Sequence, residues 1–428
     1  MAVFPGPDFL HHFVHSVSES GPGVAELLLR EVAFLPRCSP VMGSEPNGKG
    51  DHMNEENPKP ERVQTVLGVI EPNRLGIVLP HEHFFIDMSG FFIEPGEEFR
   101  KMSREAITLE NLSWIRSHRM NNLFNLQPFP VDLAIEEVLL FKKAGGGTIV
   151  EQTPINMGRS PEQLGQVSRA TGIHIIMGTA YYRETQLVSE SHMDPGWEAK
   201  RLGAYPSGYI NTATEDDLAD HFVREITVGV GDAGTKAGFI GEIGCSWPLT
   251  PNEKKVLRAG AKAQKQMGAL LTVHPGFHDE SPMEILRVLE EADADLCRVV
   301  ISHMSIVVGK ENTRVELARK GCYLEWDLFG WDGVFPQQPT PVDIPSDQGR
   351  LRQIIQMIDL GFLDQILISH DICAKIRLAR YGGTGYAHLL ENIVPIMRQK
   401  GLSEEQIHTI MVENPKRAFS LIKPRMRK

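Results

Sequence analysis

Gly76-Ile77-Val78-Leu79-Pro80-His81-Glu82-His83 (GIVLPHEH) is the stretch from which the rest of this 428-residue chain can be read. The run Gly76 to Leu79 is apolar and short, the pattern of a buried strand, and LPHEH closes it. Side chains alternate along a strand, so His81 and His83 point the same way and Glu82 the other. Two imidazoles on one face at the C-terminal end of a buried strand can ligate one metal ion. Taken alone, a His-x-His pair is weak evidence. It gains weight because candidate ligands recur downstream, each at the end of its own apolar strand.

Those strands are expected over Ile77 to His83, Gly147 to Gln152, Ile173 to Ala180, Gly238 to Ile243, Leu270 to His274, Val299 to His303, Cys322 to Asp327 and Gln365 to Asp371. Helical patterns lie between them: Asp132 to Lys143, Pro161 to Thr171, Glu215 to Val228, Pro251 to Met267, Pro282 to Ala292, Thr313 to Lys320 and Gln348 to Leu360. A last one, Ser403 to Val412, follows the eighth strand. Eight strands, each trailed by a helix, is the count of a (β/α)8 TIM barrel. A doubly wound open sheet is the alternative, but no Gly-x-Gly-x-x-Gly follows the first strand, and Gly145 to Gly147 precede a strand instead. Long connections are expected after the first, third and seventh strands: Phe84 to Val131, Tyr181 to Asp216 and Phe329 to Asp347.

Composition sets the outer bounds. Hydrophobic residues make up 41% and charged residues 23% of the chain, normal for a globular protein with a sizeable core. A formal charge of −11 and a pI near 5.8 argue against nucleic-acid and anionic-membrane partners. No run approaches the 18 or so apolar residues of a membrane span. The five cysteines (Cys38, Cys245, Cys297, Cys322, Cys373) are few, odd in number and scattered, which points to free thiols and a cytoplasmic location. Residues 1–60 differ from the rest: Ser-, Pro-, Gly- and His-rich, carrying Glu19, Glu26 and Glu31, with no basic region before a long apolar core. They read as a disordered leader before a hydrolase barrel over 61–428, with Met53 as an alternative start.

Taken together, the strand ends form a constellation. Strand one ends in His81-x-His83, strand four in Glu242, strand five in His274, strand six in His303 and strand eight in Asp371. A barrel gathers all C-terminal strand ends on one face. Four imidazoles and two carboxylates suit a pair of borderline divalent ions such as Zn²⁺, with Glu242 as the natural bridge. His370 should face the helical shell and His174 starts its strand at the opposite end, so both read as structural. No Gly-x-Ser-x-Gly elbow offers a serine nucleophile, and Cys245 and Cys373 read as packing residues.

The order of these residues resembles the amidohydrolase superfamily. Within it, LPHEH, GFIGEIGCSWPLT, VHPG, SHM, GCYLEWDLFG, ISHDI, RYGGTGYAHLL and ENPKRAF are similar to the phosphotriesterase-related branch of the phosphotriesterase family, from about Val63 to Phe419. The resemblance implies a binuclear centre held by His81, His83, Glu242, His274, His303 and Asp371. Glu242 replaces the carboxylated lysine of phosphotriesterase itself, and Pro80 stands where relatives usually carry Thr. It implies that His81, His83, Glu242 and Asp371 hold the more buried ion, that Glu242, His274 and His303 hold the more exposed one, and that Asp371 moves the proton. It also implies hydrolysis of a small N-acyl amino compound, with N-acetyltaurine as the leading candidate. A sulfonate head needs a cationic or multi-donor clamp. Tyr181, Arg377 and Tyr381 are candidates, with Tyr182, Arg183, Arg380 and Tyr386 beside them. A lactonase or weak phosphotriesterase, and a non-catalytic metal-binding protein, remain alternatives. A homodimer is left open.

Overall fold

The computed structural model describes residues 62–184, 208–331 and 344–422. The expected leader, together with 185–207 and 332–343 of two expected loops, lies outside the described residues. A short antiparallel hairpin, β1 (Val63–Thr65) and β2 (Gly68–Ile70), comes first. Eight parallel strands follow: β3 (Ile77–Glu82), β4 (Gly146–Glu151), β5 (His174–Thr179), β6 (Phe239–Gly244), β7 (Leu271–His274), β8 (Val299–Ile301), β9 (Tyr323–Trp326) and β10 (Ile366–Ile368). They pair in sequence order, each with the next. The helices between them are α1 (Val131–Lys143), α2 (Pro161–Thr171), α3 (Glu215–Thr227), α4 (Pro251–Met267), α5 (Ser281–Glu291), α6 (Glu311–Arg319) and α7 (Asp347–Asp359), and α8 (Val394–Gln399) follows β10. The fold is the (β/α)8 barrel that the strand count implies. Helix starts carry their own signals. At α4, the Thr250 side chain accepts from Glu253 N while Glu253 accepts from Thr250 N, and Pro251 takes the first helical position, where it lacks only a donor the helix would not use.

Period-2 alternation divides the strand residues between two apolar clusters. Val78, Val150, Ile176, Phe239, Val300 and Leu367 meet in the barrel interior with Val63 and Phe419. Leu79, Ile149, Ile175, Ile240, Ile301 and Leu324 pack with helix residues such as Phe141, Leu164, Phe222 and Leu257. Extended strictly, that alternation would send His81 after Leu79, and Glu242 after Ile240, into the helical shell. The register shifts by one residue at both places, between Leu79 and Glu82 on β3 and between Ile240 and Ile243 on β6. Each irregularity re-aims the side chains beyond it. Pro80, which cannot donate to a ladder, falls within the first.

Strands β8 and β10 end earlier than expected, at Ile301 and Ile368 rather than at His303 and Asp371. The reason is backbone conformation: His303 (φ 60°) and Asp371 (φ 51°) are left-handed, which no strand residue is. Such residues cost of order 1 kcal/mol each and persist where the surroundings hold them. Here Asp371 N donates to His81 O at 3.1 Å, and His303 N donates to Asp327 Oδ2 at 2.9 Å.

The two ends of the sheet meet through Glu82. Its Oε1 accepts from Ser369 Oγ (2.8 Å), His370 N (3.0 Å) and His370 Nδ1 (2.6 Å), and its Oε2 from Ile372 N (3.0 Å). Leu389 N donates to His370 Nε2 at 3.1 Å, so this ring is neutral with both nitrogens used, and burial lowers its pKa in keeping. His370 is structural, as its place in the sequence implied. Cys245, Cys322 and Cys373 are free, as expected. Among the described residues no helix is long and apolar enough to cross a membrane.

Glu82→Gln puts an NH2 group where the barrel offers donors. It is expected to cost about 3 kcal/mol, measured as a lower midpoint in denaturant. An unchanged midpoint would show that this carboxylate does not hold the closure.

Candidate metal centre

Six residues from five strand ends converge. The Glu242 carboxylate is central: Oε1 lies 3.5 Å from His83 Nε2, and Oε2 lies 3.7 Å from His81 Nε2, 3.5 Å from His274 Nδ1 and 3.9 Å from His303 Nε2. Asp371 Oδ1 sits 3.2 Å from His83 Nε2 and 4.0 Å from His81 Nε2. His274 Nδ1 and His303 Nε2 approach to 2.6 Å. All six residues are buried.

Behind these donors stands a set of partners that aims them. His81 Nδ1 meets Glu325 Oε2 at 2.8 Å and Asp327 Oδ2 at 3.3 Å, leaving Nε2 toward Glu242. His303 Nδ1 meets Asp327 Oδ1 at 2.9 Å. His83 Nδ1 meets Thr153 Oγ1 at 3.0 Å, and the Thr153 hydroxyl in turn donates to Glu151. Tyr182 OH lies 3.2 Å from His274 Nε2. A carboxylate or hydroxyl on the far nitrogen fixes the tautomer of an imidazole and the direction of its other lone pair.

The electrostatics favour positive charge inside this cage. Burial opposes protonation of His81, but Glu325 and Asp327 outweigh it and hold the pKa well above the ordinary imidazole value. Burial alone would raise the Glu242 carboxyl, yet the surrounding histidines, His274 first, hold it far below the usual carboxylate range. Burial and the neighbouring His303 lower His274 to about 3, leaving a neutral ring with a lone pair. Burial pushes Tyr182 well above 10, so its hydroxyl keeps its proton.

The donor set fits a divalent cation. His81 Nε2 and Glu242 Oε2 are both buried with no hydrogen-bond partner, although they face each other. Two donors about 2.1 Å from one four-coordinate ion are themselves about 3.4 Å apart, close to the 3.5–3.9 Å from Glu242 to His83, His81, His274 and His303 and the 3.2 Å from Asp371 to His83. His81, His83 and Asp371, and separately His81, Glu242 and His303, each offer ligand atoms within 4.8 Å of one another.

The phosphotriesterase family model matches residues 61–419. The chain belongs to the phosphotriesterase family. A phosphotriesterase-related protein of Nematostella vectensis is 42% identical over 358 residues, 83% of this chain and 97% of that relative. An N-acetyltaurine hydrolase of Mus musculus is 39% identical over 359 residues, with the same coverage. The crystal structure of a resiniferatoxin-binding protein from Rhodobacter sphaeroides superposes with a TM-score of 0.76 at 35% identity, covering 84% of this chain and 94% of that one. The phosphotriesterase family is metal-dependent, and the buried His, Asp and Glu groups here are of the kind that bind metal.

The three residues expected to hold an anionic substrate are placed otherwise. Tyr181 packs its ring against His221 and Phe222, while its neighbour Tyr182 faces His274. Arg377 donates to the carbonyls of Phe329 and Gly330 and lies 4.9 Å over the Trp331 ring, tying down the loop after β9. Burial lowers it to about 10, still a cation at neutral pH. Tyr381 is half-buried, edge-on to Phe124. Tyr386 donates to His83 O at 2.7 Å, and Arg380 is exposed near Glu136. Cys245 and Cys373 are held protonated by burial, which fits packing roles.

Sequence reasoning assigned no role to Glu325, Asp327, Thr153 or Glu151. Glu325-x-Asp327 has the same one-face spacing as His81-x-His83 and was visible within GCYLEWDLFG. Asp327→Asn removes the acceptor that orients both His303 and His81, and is expected to weaken metal binding roughly 10- to 100-fold by competition with a chelating dye. Undiminished affinity would show that the outer carboxylates do not aim the ligands.

Proposed function

We propose that this protein is a binuclear metal hydrolase that cleaves N-acetyltaurine to taurine and acetate. One observation carries the chemistry: a single carboxylate, Glu242, has one oxygen beside His83 and the other beside His81, His274 and His303. That is where a bridge between two ions belongs. The choice of substrate leans on relatives named N-acetyltaurine hydrolase, 38–39% identical over 83% or more of this chain, among them those of Dictyostelium discoideum, Mus musculus and Homo sapiens.

In this reading His81, His83, Glu242 and Asp371 would hold the inner ion, and Glu242, His274 and His303 would hold the outer one; zinc suits the imidazole-rich set. When bound, two such ions polarise the acyl carbonyl and bring the pKa of a water from 15.7 toward about 7. Asp371 is the proton carrier of the chain. Its left-handed backbone, tethered to His81 O, turns the carboxylate into the cage beside His83. It accepts a proton from the attacking water as the new C–O bond forms. It then delivers that proton to the amide nitrogen as the C–N bond breaks, so that a neutral amine departs rather than an amide anion. Tyr182, protonated and next to His274, is a fixed neutral donor on the same wall.

Asp371→Asn is expected to lower turnover of N-acetyltaurine by a factor of roughly 10²–10⁴ while the protein retains most of its metal, read by amine release and elemental analysis on one preparation. Turnover near wild type would remove Asp371 from its role. Chelation should abolish the activity, and added Zn²⁺ restore it; a chelated protein that stays active would refute the metal-dependent reading.

A further inference from the structure

A cation at the mouth of the cage is left unused by the reaction as described. Residues 181–184 follow β5, and their backbone is pinned in place. Gly244 N donates to Tyr181 O (3.1 Å), Tyr182 N to Asn156 Oδ1 (2.8 Å) and Glu184 N to Glu253 Oε1 (3.1 Å). A Cβ on Gly244 would meet Arg183 N at 2.4 Å and the Tyr182 ring at 2.7 Å. This glycine therefore lets the 182–183 backbone lie against the end of β6, two residues beyond Glu242.

Two side chains leave this segment. The Tyr182 ring lies 4.9 Å from that of His274. Arg183 lays its guanidinium over the Tyr182 ring at 5.4 Å and over the Phe91 ring at 5.3 Å, bridging the loops after β3 and β5. Its Nε is buried with no hydrogen-bond partner, as is that of Arg377. Other cations nearby are committed elsewhere. Arg377 holds the carbonyls of Phe329 and Gly330, Lys375 those of Phe124 and Gln127, and Arg350 pairs with Asp347. The in-plane N–H edge of a guanidinium matches the oxygens of a sulfonate or carboxylate.

We propose that Arg183 is the specificity-determining residue of this centre: its guanidinium receives an anionic group, sulfonate or carboxylate, carried two carbons from the scissile amide nitrogen. The assignment rests on the amide-hydrolase reading of the site. Arg183 lies 5.4 Å from the Tyr182 ring, whose centre is 4.9 Å from that of His274, so the cation borders the wall of the cage on which Tyr182 stands. A neutral lactone or phosphotriester would gain nothing from this charge.

The test compares metal-loaded wild type, Arg183→Gln and Arg183→Lys on N-acetyltaurine and on its neutral counterpart N-acetylethanolamine. Calorimetric titration of ethanesulfonate into the same three proteins reads binding without turnover. In Arg183→Gln the ratio of kcat/KM for the anionic over the neutral amide is expected to fall about thirtyfold, through KM rather than kcat, and ethanesulfonate affinity to fall with it. Arg183→Lys is expected to restore part of both. An unchanged ratio, ethanesulfonate binding that survives in Arg183→Gln, or a wild type that binds no sulfonate overturns the proposal. A wild type that cleaves neither amide, yet loses sulfonate binding on substitution, leaves the anion site standing and removes the amide-hydrolase reading instead.

Discussion

Glu242 reaches four imidazoles because β6 carries one residue more than its neighbour's register allows, and His81 faces it because β3 does the same. Everything at the mouth of the barrel depends on those two irregularities. Without them, the alternation that places Leu79 and Ile240 against the helices would carry His81 and Glu242 there as well. With them, the same strands bury apolar residues outward at mid-height and polar residues inward at their ends. The closure of the barrel belongs to the same region. Glu82, facing away from the imidazoles, gathers four donors from the segment 369–372 and so fixes the strand end that carries Asp371.

Burying several carboxylates and imidazoles together is costly unless each is paired, because the interior solvates charge poorly. The surroundings offset that cost in two tiers. The outer one pairs each ring with groups of the chain: Glu325 and Asp327 against His81 and His303, Thr153 and Glu151 against His83. The inner one ends in buried atoms, His81 Nε2 and Glu242 Oε2, that no protein group satisfies. Polar groups in an interior are normally hydrogen-bonded, so an inward-facing exception among six potential ligands is the mark of a binding site. Arg183 and Arg377 differ in their terminal nitrogens: Arg377 spends them on the carbonyls of Phe329 and Gly330, whereas those of Arg183 are proposed to meet a ligand.

The barrel and its eight strands were legible because apolar runs, helix-starting Thr-Pro and Ser-Pro pairs and strand-end polar residues recur with the right spacing. His274, Glu325, Asp327 and Asp371 fall on inward positions by simple alternation from Leu270, Tyr323 and Leu367. The inward turn of His81 and Glu242 was not legible in that way, since a register shift leaves no mark in residue type beyond Pro80. The surroundings of the candidate anion-binding residues were not legible for a different reason. Tyr181 and Tyr182 are neighbours of the same type, and only the backbone bonds to Asn156 and Gly244 decide which of them faces the cage. For Arg377, sequence shows a cation near Asp371 but not the carbonyls of a loop forty-seven residues away that claim its donors.

Glu242 is proposed to bridge two ions held by the surrounding imidazoles. Anomalous diffraction at the zinc edge from metal-loaded crystals tests it most directly. Two peaks about 3.5–4 Å apart, one on each side of the Glu242 carboxylate, are the predicted result. A single peak, or two that Glu242 does not touch, would contradict it.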